Sequence, residues 1–157
     1  MNKVDQIKKV APIEKTVRIK STPEVAFKAF TEEIAAWWPL DRHSLDAENV
    51  DGLVFEAELG GTIYQTMKDG SQIAWAKVRS FTPPDGFVLD WHIGVEPEAA
   101  SRVEITFTAL EDGMTEVVLH HSEFENSSPE DPETYKGHYA NGWVTVFEDC
   151  FAGHFAD

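Results

Sequence analysis

The chain has 157 residues, of which 42% are hydrophobic and 11% aromatic, enough for one sizeable core and too short for several. A formal net charge of −15 repels phosphate backbones and disfavours nucleic-acid binding. No apolar run approaches the roughly 18 residues that span a bilayer, so membrane insertion is not expected.

The charge is uneven: the first twenty residues carry +4 and the remainder −19. Residues 1–12 read as a basic leader running into an edge strand, and 13–157 as a single domain. The start lacks the apolar stretch of a signal peptide, and the single cysteine, Cys150, cannot form an internal disulfide. Both fit a cytoplasmic, reducing location, with Cys150 as an inert core thiol.

Residues 13–20 alternate Ile13, Lys15, Val17 and Ile19 with Glu14, Thr16, Arg18 and Lys20, the period of a strand. Ser21-Thr22-Pro23-Glu24 then supplies a cap, a first-turn proline and an acid near the positive helix end. Two short helices follow, broken near Thr31 and stopped by Pro39, and they bring Trp37 and Trp38 together as a core cap or the lip of a pocket. From residue 50 the period is two. Leu53, Phe55, Ala57 and Leu59 share a face, Gly60-Gly61 permits a turn or bulge, and Asp69-Gly70 marks a hairpin. The strand with Trp75, the strand of Phe87, Leu89, Trp91 and Ile93, that of Val103, Ile105 and Phe107, and that of Val117, Leu119 and His121 continue an antiparallel meander.

Residues 125–132 form an acidic polar loop before a helix over 135–155. On the 3.6-residue period Tyr135, Tyr139, Trp143, Val146, Phe147 and Cys150 form one stripe, which Ala140, Val144, Phe151 and Phe155 widen. So wide a face suits a helix that meets both a sheet and a cavity wall, and Gly137 and Gly142 inside it point to close approach or a local bend. A meander of this length must curl, and one wide-faced helix can fill its concave side. The fold class is therefore α+β.

The inward strand face carries Trp75, Trp91, Phe107, Leu119 and His121, with Tyr139 and Trp143 opposite on the helix. These residues form either an aromatic-lined cleft for an apolar molecule or a packed core. His121 falls in register with Val117 and Leu119, so it points inward and needs a partner; it could orient a ligand or act as an acid or base. His121 and Glu123 stand two apart, but no recognised metal-ligand spacing, phosphate loop or nucleophile elbow occurs, so no metal or cofactor is expected.

Ser21-Thr22-Pro23-Glu24-Val25-Ala26-Phe27, Trp37-Trp38-Pro39, Gly60-Gly61, Asp69-Gly70 with Trp75, Pro83-Pro84, Trp91, Leu119-His120-His121 and Gly142-Trp143 occur in an order and spacing that resemble the START-like (SRPBCC) ligand-binding superfamily. Within it, the chain is most similar to the activator of heat-shock-protein-90 ATPase homologues, over residues 13–155. The resemblance implies a helix-grip fold: a curved antiparallel sheet wrapped around the C-terminal helix with a cavity between them. It also implies one of three roles. The first is a carrier or sensor of a small hydrophobic or aromatic molecule, held by Trp38, Trp75, Trp91, Phe107, Leu119, His121, Tyr139 and Trp143. The second is a cyclase or aromatase using His121. The third is a co-chaperone-like module acting on a heat-shock-protein-90-type ATPase.

Overall fold

The computed structural model describes residues 10–155. The first nine residues of the expected basic leader, and the last two of the chain, lie outside the described residues. Seven antiparallel strands form one sheet in the order β1-β7-β6-β5-β4-β3-β2. They are β1 (Ile13–Ile19), β2 (Val50–Phe55), β3 (Thr62–Met67), β4 (Gln72–Thr82), β5 (Gly86–Trp91), β6 (Ser101–Ala109) and β7 (Thr115–Ser122). The first strand closes one edge by pairing with the last, Val17 opposite Val117. Register shifts at Val50/Gly52, Ile63/Tyr64 and Val78/Ser80 add local bends on the β2-to-β5 side, and the sheet curves there into a half-barrel.

Helix α1 (Pro23–Phe30) forms as its sequence dictates: Thr22 accepts from the Val25 amide at 3.3 Å and Pro23 opens the first turn. Its buried face, Phe27 and Phe30, packs on Phe87 and Phe107 at one end of the concave sheet. The second expected helix is a single 3-10 turn, Ile34–Ala36, tied to α1 by the Trp37 indole, which donates to the Ala29 carbonyl at 2.8 Å.

The grip helix differs from expectation in three ways. It starts at Pro132, not 135, because Asp131 caps it by accepting from the Thr134 amide; the acidic loop before it also contains a short helix, α2 (Phe124–Ser127). After α3 (Pro132–Trp143) it continues as a π-helix, Val144–Phe151. The wider i→i+5 turn puts Val146 and Phe151, five apart, on the inward face with Trp143 and Phe147. Phe151 therefore takes the fully buried place expected of Cys150, which is only half-buried, and Val144 turns out to solvent. Leu59 also departs from its expected strand face and is 70% exposed. The chain turns early, at Phe55, because Gly61 approaches the Glu56 carbonyl so closely that a Cβ would overlap it.

Candidate functional site

At the centre of the sheet the inward residues of β5, β6 and β7 meet the helix through a chain of hydrogen bonds. The Trp143 indole donates to His121 Nδ1 at 3.0 Å, and His121 Nε2 lies 2.8 Å from Ser101 Oγ. An indole nitrogen can only donate, so Nδ1 is the acceptor and the neutral ring carries its proton on Nε2. That proton goes to Ser101, whose hydroxyl donates to the Trp91 carbonyl at 3.3 Å. His121 has no exposed surface, and burial, with the neighbouring His120, depresses its pKa to about 3. Every polar atom of this ring is used, and the helix is fastened through it to three strands.

The open space lies beside this chain, toward the end of β5. Trp38, Trp91, Tyr139, Trp143, Val146, Ile93 and Gly142, with Arg42, His43 and Ser44, surround a pocket of about 230 Å³. Trp38 and Trp143 meet edge to face at 6.0 Å, and Trp91 lies 5.7 Å from Trp143. The Tyr139 hydroxyl accepts from the Trp91 indole at 3.0 Å; burial, together with the nearby Tyr135 phenol, raises its pKa, so it keeps its proton. A more open groove adjoins the pocket through the shared residues Ile93 and Tyr139 and runs to Ser128, Asp131 and Tyr135.

The polar side of the pocket is a loop strapped from several directions. The Arg42 and His43 amides both bond the Pro39 carbonyl, at 3.0 and 2.8 Å, and the Trp38 indole donates to the His43 carbonyl at 2.7 Å. Below it Gln65, fully buried on β3, accepts from the Leu45 amide and the Trp75 indole and donates to the Leu45 carbonyl. Partial burial, then the Arg42 charge, lower the pKa of His43, so the ring is neutral at neutral pH.

Of the eight residues expected to bind ligand, Trp38, Trp91, Tyr139 and Trp143 wall the pocket. Trp75 is fully buried behind Trp38, at 5.1 Å, with its indole satisfied by Gln65. Phe107 packs with Phe27 and Phe30 at the far end of the core. Leu119 is fully buried, and His121 serves as the strut described above. Glu123 leaves β7 in a left-handed conformation, φ 63°, and its carboxylate lies 3.8 Å from Arg102 and accepts from the Asn126 side-chain amide. Arg42, His43, Ser44, Ile93 and Val146 were not foreseen as pocket residues. The loop residues belong to no periodic element, although Gln65 shares the parity of the buried Ile63 and Met67, a signal that it too faces inward.

No curated protein matches the chain. Among solved structures, an anthrahydroquino-γ-pyrone synthase, Txn09, is 27% identical, covering 85% of this chain and 88% of its own with a TM-score of 0.59. An HSP90 activator from Plasmodium falciparum is 23% identical over 88% of this chain and 91% of its own, TM-score 0.59. CalC, a self-sacrificing resistance protein from Micromonospora echinospora, is 22% identical over 92% and 94%, TM-score 0.64. These share the curved sheet gripping a C-terminal helix. The family model described as Activator of Hsp90 ATPase homolog 1-like protein matches residues 20–155, from the end of β1 through the grip helix, and the chain therefore belongs to that branch of the SRPBCC superfamily.

Proposed function

We propose that this protein is a non-enzymatic carrier or sensor of a small aromatic molecule that inserts between Trp38, Trp91 and Trp143. The observation that carries this reading is the pocket itself: about 230 Å³, walled by three indoles and a tyrosine, between the concave sheet and the grip helix. Pockets for drug-sized ligands span about 300–1,000 Å³, and an apolar cavity of about 150 Å³ holds benzene, so one of this size suits two fused rings. The kinship with a structure described as a pyrone synthase supports an aromatic ligand. Catalysis through His121 is not part of this reading, because both ring nitrogens are engaged and the ring carries no proton it can readily gain or lose near neutral pH. A single domain over 13–157 and a cytoplasmic location belong to the same proposal, since the lone thiol calls for no oxidising compartment.

The test uses the five tryptophan indoles, each of which has a distinct partner: the Ala29, His43, Gln65, Tyr139 and His121 acceptors. Titration with lipids and two-ring aromatics should shift the indole N–H resonances of Trp38, Trp91 and Trp143 and leave that of Trp37 in place. A uniform absence of shifts at the three pocket indoles would sink the proposal. The family match and the HSP90-activator neighbour favour a second reading, a chaperone-binding module. Stimulation of a heat-shock-protein-90-type ATPase that falls with added salt would support it.

A further inference from the structure

We infer that the aromatic pocket selects ligands bearing an anionic oxygen group such as a carboxylate, and that Arg42 is the residue that recognises it. This rests on the binding role proposed above. The protein has 28 acidic and 13 basic side chains, yet the pocket walls include no Asp or Glu and one Arg. The one charged side chain in its lining is thus positive in an acidic molecule, with Asp41 beside it but outside the walls. In the adjoining groove the one acid, Asp131, stands at the start of α3, and there is no Lys or Arg.

The Arg42 guanidinium is not committed elsewhere. Its ion pair is with Asp41, through Nε at 3.7 Å, and both side chains are largely exposed. That distance is too long for a hydrogen bond, and a pair so exposed contributes little. The two terminal nitrogens have no hydrogen-bond partner among the described residues, and they form the planar fork that fits a carboxylate with two parallel bonds. The backbone beneath is held by the Pro39, Trp38 and Gln65 bonds, so the fork is presented from a fixed base. His43 beside it is neutral and adds a hydrogen-bonding edge without a competing charge. A flat ring system between the indoles with its acid group toward residues 42–44 satisfies both halves of the pocket.

The probes are 2-naphthoate and naphthalene-2-carboxamide, which match in shape and differ in charge, titrated by tryptophan fluorescence and calorimetry in 50 mM NaCl. Wild-type protein should bind the carboxylate about five- to tenfold more tightly than the amide. Arg42→Gln, at an exposed position whose loss leaves the fold intact, should bring the two within about twofold, and Arg42→Lys should retain part of the preference. Equal binding of both probes by the wild type, or an unchanged preference in Arg42→Gln, overturns the anion selectivity while leaving the pocket proposal standing. Binding of neither probe overturns the pocket proposal and this inference with it.

Discussion

At neutral pH His121 must be neutral, because its Nδ1 faces a donor that can do nothing else, the Trp143 indole. Protonation would set two N–H groups against each other in a site without water access. The folded-state pKa of about 3 lies below the ordinary value of 6.5, so between those limits the unfolded chain binds the extra proton. Stability from this group is full above pH 6.5 and falls as the pH drops, by at most about 1.4 kcal/mol per unit, until about pH 3. His121→Gln should cost about 1–3 kcal/mol at pH 7 by disturbing the Trp143–Ser101 chain. Its gap to the wild type should then narrow by about 2 kcal/mol on going to pH 5. Urea titrations at the two pH values measure both, and a gap independent of pH would mean that the folded protein protonates His121 as readily as the unfolded chain does, so that its pKa is not depressed. The inward direction of His121 was legible from its parity with Val117 and Leu119. Its role was not, since the partners, Ser101 and Trp143, are 20 and 22 residues away and parity alone cannot say whether an inward imidazole is satisfied by protein or by ligand.

The two glycines of α3 separate propensity from packing at the scale of the element. A Cβ on Gly137 would meet nothing within 4 Å, whereas one on Gly142 would touch the His43 ring at 3.7 Å and face the pocket. Gly137→Ala should therefore raise stability by about 1 kcal/mol and leave ligand affinity unchanged. Gly142→Leu should keep the fold and fill the pocket, lowering affinity for 2-naphthoate at least tenfold, as fluorescence titration and thermal melts would show. Strong binding by Gly142→Leu would place the ligand elsewhere. The helix and the strands were legible because hydrophobic period and caps are local properties, as Thr22-Pro23 and Val117-Leu119-His121 illustrate. The π-turn after Trp143 was hidden because it follows from how the helix must meet the sheet, which buries Phe151 at the expense of Cys150. Half of the pocket was hidden for a related reason. The loop 39–46 has no period, and it is placed by Gln65, some 20 residues on, through bonds that only the folded chain brings together.

For the whole molecule, the excess of negative charge opposes the local charge of the pocket, and the two can be told apart by their range. A net charge of −15 repels an approaching carboxylate over distances comparable with the Debye length, about 10 Å at 0.1 M salt, whereas the Arg42 fork acts at contact. Association of 2-naphthoate should accordingly speed up with salt, the reverse of a steered encounter, by about two- to fivefold between 20 and 500 mM NaCl. Dissociation should also quicken as the guanidinium contact is screened, so that the equilibrium constant changes less than either rate. The carboxamide, which feels neither field, should show association rates nearly independent of salt. Stopped-flow tryptophan fluorescence with both probes resolves these terms. A 2-naphthoate association rate that falls with salt would mean that the positive field of residues 42–44 reaches beyond the mouth and outweighs the acidic body during approach.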